Sequence, residues 1–341
     1  MDPALWELIE SGEADDEVSV VLRLDEETRA PAGVRVVSRF GKVVTARVRR
    51  SDIRRVWESD EVISVKGPRR LISPHPYEDD AANQEEALNN SASPHPWPKP
   101  IQLPEDGTGV VVGICDWGFD FTHTNFRKAD GTTRLIGLWD QNGNGEPPRG
   151  FDYGRFITPA MINAALRTSD PFSTLGYHPT SRSQARVGSH GTHVADILAG
   201  NRREPGSRVG LASGADLLFV HLGADRQSPL GNFGDSVRLL EGVDFLRREA
   251  GDLPCVIHLS AGKTGGAHRG ETPFEQAIDA MLVSRPGIAL CQSAGNYSDA
   301  GMHTHVRIGP NQSYVIVWMV AAGDRTPTSL KFGTADKTYS I

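Results

Sequence analysis

GVVVGICD at 109–116 and GSHGTHVADILAG at 188–200 are the two stretches whose reading decides the fold. The first is a continuous apolar run that ends on Asp116, and Gly118 follows closely enough to permit a sharp exit. Such a run suits a strand of a parallel sheet covered on both faces. The second stretch predicts a helix over 190–200, with Val194, Ile197 and Leu198 on one face and Gly200 as its stop. Toward the C-terminus the pattern repeats. ADLLFVHLG (215–223) reads as a strand and SVRLLEGVDFLRREA (236–250) as a helix. CVIHLSAG (255–262) is a strand, TPFEQAIDAMLVSR (272–285) a helix and GIALCQSAGN (287–296) a strand. This alternation predicts a doubly wound α/β domain with a mostly parallel sheet over 106–300.

Toward the N-terminus the character changes. Residues 73–105 hold seven prolines among acidic residues, asparagines and serines, with SPHP at 73–76 and again at 93–96. This composition predicts an extended linker. Before it, residues 1–72 predict a small α+β domain whose compact part starts at 17. Val18–Leu24, Val34–Val37, Lys42–Val48 and Glu61–Lys66 read as strands. Ser38–Gly41 reads as a hairpin turn, and Ser51 as the cap of a short helix over Asp52–Glu58. After Asn296, YVIVWMVAA, SLKF and KTYSI read as consecutive strands without helices, a β-rich segment over 301–341.

Bulk properties narrow the function classes. A net charge of -7 gives no basic field for nucleic acid. No apolar run reaches the 18 or so residues that a membrane span needs. The first residues show neither a basic n-region nor an apolar h-region, so a cytoplasmic location is expected. Cys115, Cys255 and Cys291 each lie in a strand-like run and are expected as reduced, packed thiols.

Three residues carry candidate chemistry. Asp116 ends a buried strand, where α/β sheets gather functional groups; taken alone it equally fits a turn cap. His190 starts a helix, whose N-terminus disfavours the imidazolium and favours a neutral base. Asn296 follows a strand end, where a carboxamide can donate to an oxyanion or merely fill a Gly-Asn turn. His193 makes an HxxH pair with His190, but the zinc-protease helix spaces its histidines by four and carries a Glu, so His193 reads as a packing residue or one that supports the site from behind, and no metal is assigned.

CDWGFD around Asp116 resembles the aspartate motif of the subtilisin-like serine peptidases, or subtilases. GSHGTHVADILAG resembles their histidine motif, SAGN their oxyanion motif, and HLSAG (258–262) their substrate-binding strand. The resemblance implies a subtilisin-like fold and an endopeptidase with His190 as base, Asp116 as its orienting partner and Asn296 as oxyanion donor. It implies Ser260, Ala261 and Gly262 as the edge that pairs with a polypeptide substrate. It also implies that the N-terminal unit, whose ending SDEVISVKGPRRL matches best, is a propeptide-like domain that occupies the cleft. Calcium enters by resemblance only, and no cofactor is identified.

The chain departs from the family at the nucleophile. Ser298, Ser313, Ser329 and Ser340 lack the Gly-Thr-Ser context, and GTAD at 333–336 carries Ala335 where the serine belongs. The expected protein is therefore the N-terminal part of an active protease, inert by itself; the alternative is a peptide-binding pseudoprotease with a regulatory role. Trp117 replaces a small hydroxyl residue after the aspartate.

Overall fold

A computed structural model describes residues 3–10, 12–27, 29–69, 71, 104–179, 190–203, 209–223, 235–261, 269–295, 307 and 309–315. The expected linker therefore lies outside the described residues, apart from Pro104 and Glu105. So does the C-terminal strand region, apart from its first two residues. Those two, Tyr314 and Val315, are exposed and belong to no strand.

The N-terminal unit runs α1 (Pro3–Glu10), β1 (Glu17–Leu24), β2 (Val34–Phe40), β3 (Val43–Arg49), α2 (Ile53–Trp57) and β4 (Val62–Lys66). Its antiparallel sheet has the order β2-β3-β1-β4. Alternation in β1 sends Val18, Val20, Leu22 and Leu24 to one face, where they pack on Ile53 and Val56 of α2 and on Leu5 of α1. The other face carries Val21, Val37, Phe40 and Val43 into the core of the larger domain. Covered on both sides, β3 is buried from Val43 through Val48.

Three expectations need correction here. The unit begins at Pro3 rather than 17, because Leu5 of α1 fills its core at 0% exposure. Ser38–Phe40 belongs to β2, so the turn shortens to Gly41 and Lys42, with Gly41 at φ +56°. Ser51 does not cap a helix: it sits inside a 3-10 turn, Arg50–Asp52, that leads into α2.

The larger domain contains β5 (Val111–Asp116), β6 (Leu135–Asp140), β7 (Arg155–Ile157), α3 (Pro159–Ala165), α4 (Pro171–Leu175), α5 (His190–Ala199), β8 (Asp216–His221), α6 (Ser236–Glu249), β9 (Cys255–Leu259), α7 (Pro273–Ser284) and β10 (Ile288–Gln292). The sheet order is β10-β9-β5-β8-β6-β7. Every pairing is parallel except β6 with β7. One sheet face packs against α6 and α7, the other against α5. As expected of a sheet covered on both faces, all six residues of β5 are buried. Asp116, His221 and Asp140 lie in register at the carboxyl ends of β5, β8 and β6.

The apolar face expected on α5 is partly wrong. Gly191, Ala195 and Ala199 form the buried stripe, with Val194 and Leu198 beside it, while Ile197 is 71% exposed. Small residues let the helix approach the sheet closely. Of the cysteines, Cys115 and Cys255 are buried thiols as expected, but Cys291 is exposed.

Candidate active site

The site is built where β5 ends and α5 begins. Asp116 is 0% exposed. Its Oδ1 accepts the Trp117 N–H at 2.6 Å and the His190 Nδ1–H at 2.7 Å. The main chain around it is pinned, since the Asp116 carbonyl accepts the Leu222 N–H at 3.0 Å. Asp116 Oδ2 is buried and accepts no hydrogen bond from the described residues.

The start of α5 docks straight onto the loop after Asp116. The Gly191 N–H donates to the Trp117 carbonyl at 2.7 Å and the Thr192 N–H to the Gly118 carbonyl at 3.0 Å. These bonds satisfy donors that a helix start otherwise leaves open. The Thr192 hydroxyl accepts the Asp120 N–H at 2.9 Å. Contact this close requires glycine at 191: a Cβ there would sit 2.8 Å from both loop carbonyls and 2.7 Å from the Phe219 ring. Gly118, at φ +68°, turns the loop. Tyr177 adds a brace that the sequence reading did not single out. Its hydroxyl accepts the Phe119 N–H at 3.2 Å and lies 3.1 Å from His221 Nδ1. A lone tyrosine in an irregular stretch gives no periodic signal by which to find it.

The His190 side chain is 30% exposed. The hydrogen bond to Asp116 raises its pKa above the ordinary value; burial opposes this, and the Asp116 charge adds to it. The carboxylate thus favours the charged imidazole, opposite in sign to the effect of a helix N-terminus. Trp117 is buried, with its ring centroid 6.2 Å from that of His190, so it walls the dyad without lying flat on it. On the neighbouring strand His258 is half-buried. Burial lowers its pKa, the Asp116 charge raises it, and His190 lowers it further.

Other expected site residues are placed differently. Ser260 and Ala261 follow β9 directly beyond the Cys115–Leu259 rung. The Ala261 carbonyl accepts the Gln292 Nε2–H at 3.1 Å, and the Leu259 carbonyl accepts the Ser293 N–H at 3.0 Å. Asn296 and Gly262 lie outside the described residues. His193 is exposed, which rules out packing as its role. Among the described residues no group of three or more His, Cys, Asp or Glu could hold a metal ion. No described helix is long and apolar enough to cross a membrane.

Fold and geometry together define a doubly wound α/β protein with a buried carboxylate–imidazole dyad at the carboxyl end of its central strand. The sequence model of the subtilase family matches residues 107–330, and the chain belongs to that family of serine peptidases. It is similar to the C5a peptidase of Streptococcus pyogenes, with 27% identity over 236 residues that cover 65% of this chain and 18% of the relative. It is also similar to the PII-type proteinase of Lacticaseibacillus paracasei, with 26% identity over 213 residues, 61% of this chain and 10% of the relative. The chain thus spans less than a fifth of the length of these relatives. Among solved structures, the CspB protease of Clostridium perfringens matches at 27% identity with a TM-score of 0.49, covering 58% of this chain and 38% of that one.

Proposed function

We propose that the chain carries the acid–base half of a subtilisin-type serine endopeptidase and that Asp116 and His190 act in peptide-bond hydrolysis. The observation that carries the reading is the 2.7 Å bond from His190 Nδ1 to a fully buried carboxylate. Donation from Nδ1 leaves the lone pair on Nε2, the nitrogen a general base needs. In the proposed reaction Nε2 takes the proton of a serine hydroxyl as its oxygen bonds to the scissile carbonyl carbon. The imidazolium, stabilised by Asp116, then gives that proton to the amine nitrogen as the C–N bond breaks. Water, deprotonated by Nε2, cleaves the resulting acyl-serine ester and returns the serine hydroxyl. Asn296 and a backbone N–H hold the oxyanion. Ser260, Ala261 and Gly262 pair with the extended polypeptide. None of Ser298, Ser313, Ser329 and Ser340 is assigned as the nucleophile, so the 341 residues alone are expected to be nearly inert.

In this reading residues 1–72 are a propeptide-like domain, 73–105 a linker that contains or adjoins the processing site, and 301–341 a β-rich insertion. Docking of the N-terminal sheet on α6 and α7 supports the first of these. The test is to extend the chain through its natural downstream coding sequence and assay peptide hydrolysis. Activity that falls at least about 10³-fold in His190→Ala supports the proposal. A stop codon directly after Ile341, or activity that His190→Ala leaves untouched, overturns it in favour of a peptide-binding pseudoprotease.

A further inference from the structure

We propose that Arg47 and Glu241 form a pairing code by which the larger domain selects the N-terminal domain it accepts. The biological meaning rests on the propeptide-like reading above; the geometry does not. Arg47 projects from the centre of β3, and Glu241 from α6. Nη1 donates to Oε1 at 2.8 Å and Nη2 to Oε2 at 3.1 Å, so both carboxylate oxygens are engaged by one fork. Glu241 is 0% exposed and Arg47 8%. Burial works against the charge of the guanidinium, but its hydrogen bond to Glu241 and the Glu241 and Asp152 charges outweigh it and raise the Arg47 pKa.

The same seam holds a second, more exposed layer. Asp152 accepts from Arg47 Nη2 at 3.3 Å with one oxygen and pairs with Arg35 Nη2 at 2.8 Å through the other. Beside the fork, Val21, Val37, Phe40 and Val43 share one apolar core with Val237, Leu240, Ile278 and Met281, and the Tyr153 ring lies 5.6 Å from the Arg47 guanidinium. Apolar packing of this kind accepts any sheet of suitable shape. The ion pair does not. A domain with another residue at position 47 would bury Glu241 without a cation, and breaking a buried pair costs far more than keeping it contributes. Arg238, one helical turn away, is already committed: its Nη1 donates to the Gln141 carbonyl at 3.1 Å and its guanidinium lies over the Tyr153 ring. The partner this face fits is thus a four-stranded domain with an arginine at the centre of its inner face. Lysine would keep the charge but lose the fork.

A double-mutant cycle on the full chain tests the code, with amide hydrogen exchange read at β3 and α6. Arg47→Met and Glu241→Met are each expected to raise exchange there by about tenfold or more, and the double variant to return to within about threefold of the parent. Arg47→Lys is expected to fall between. Single variants that exchange like the parent, or a double variant as loose as the two singles combined, would overturn the proposal. If neither single variant folds, a folded double variant supports it and an unfolded one overturns it. Exchange needs no catalytic readout, so loss of the protease reading leaves this result standing, and the absence of coupling sinks the code alone.

Discussion

Two buried carboxylates in this chain meet cations in opposite ways. Glu241 gives both oxygens to a guanidinium that keeps its proton at any physiological pH, and the pair is closed off from water. Asp116 accepts two hydrogen bonds at Oδ1, none at Oδ2 from the described residues, and raises the pKa of an imidazole that stands 30% exposed. The first arrangement has one state and holds two domains in register. The second has two protonation states and a partly exposed ring. Burial alone does not separate a structural ion pair from a chemical one; the partner's ability to lose its proton does.

Replacing Asp116 by Asn is the largest expected perturbation. In an active extended protein kcat/KM should fall by about 10⁴, because the carboxamide favours the wrong imidazole tautomer and no longer stabilises the charged form. Circular dichroism should barely change. If Arg47→Met cost as much activity without unfolding the chain, the proposed division between lock and catalyst would fail.

Arg134 offers a third case, a buried cation with carbonyls for partners. It is 5% exposed, and its guanidinium donates to the carbonyls of Asn125 and Ala199 at 3.3 and 2.5 Å and of Ala212 and Ala215 at 3.4 and 2.6 Å. It ties the C-terminal end of α5 to β6 and to the approach to β8. Arg134→Met strips these carbonyls of a charged donor at once and should cost about 3 kcal/mol or more in denaturant unfolding. A cost near zero would mean the carbonyls find other donors.

The α/β alternation and the dyad were legible because each rests on local chemistry. Continuous apolar strands announce a doubly covered sheet, and the Asp116 and His190 motifs are short and contiguous. Elements between 117 and 189 were not legible. β6 ends in LWD and β7 is three residues long, while α3 and α4 are short and start at prolines. Their burial comes from long-range contacts such as Trp139 with Phe245, which no local period encodes. Helix α1 was missed because eight residues carry little signal until Leu5 finds the small-domain core. The Arg47–Glu241 pair was invisible for the same reason, being 194 residues apart in the chain.

Gly191 sharpens the contrast at the dyad. Gly191→Ala pushes a methyl to within 2.8 Å of two backbone carbonyls, which cannot retreat without moving the Asp116 loop or α5. Destabilisation of about 1–3 kcal/mol is expected in thermal unfolding. The low-field Nδ1–H resonance of His190 should weaken or shift with it. A stable variant with an unaltered resonance would show that the loop and helix are less tightly coupled than these distances indicate.

The smallest effect, and the one that most directly separates the two carboxylate sites, is the pH dependence of stability. His190 holds its proton more tightly when folded than an unfolded histidine does, because Asp116 accepts its hydrogen bond. Its contribution is therefore fully present below the unfolded pKa of about 6.5 and fades as pH rises through the higher folded value. Unfolding free energies measured between pH 6 and 9 should decline through this group in the parent chain and in Arg47→Met alike. In Asp116→Asn that decline should be lost, since the raised pKa goes with the carboxylate. The same ionisation governs catalysis in the opposite sense, because a base must be unprotonated: kcat/KM of an active extended protein should climb over the interval in which stability drops. A stability decline that survived Asp116→Asn, or vanished in Arg47→Met, would assign the titration to the wrong pair.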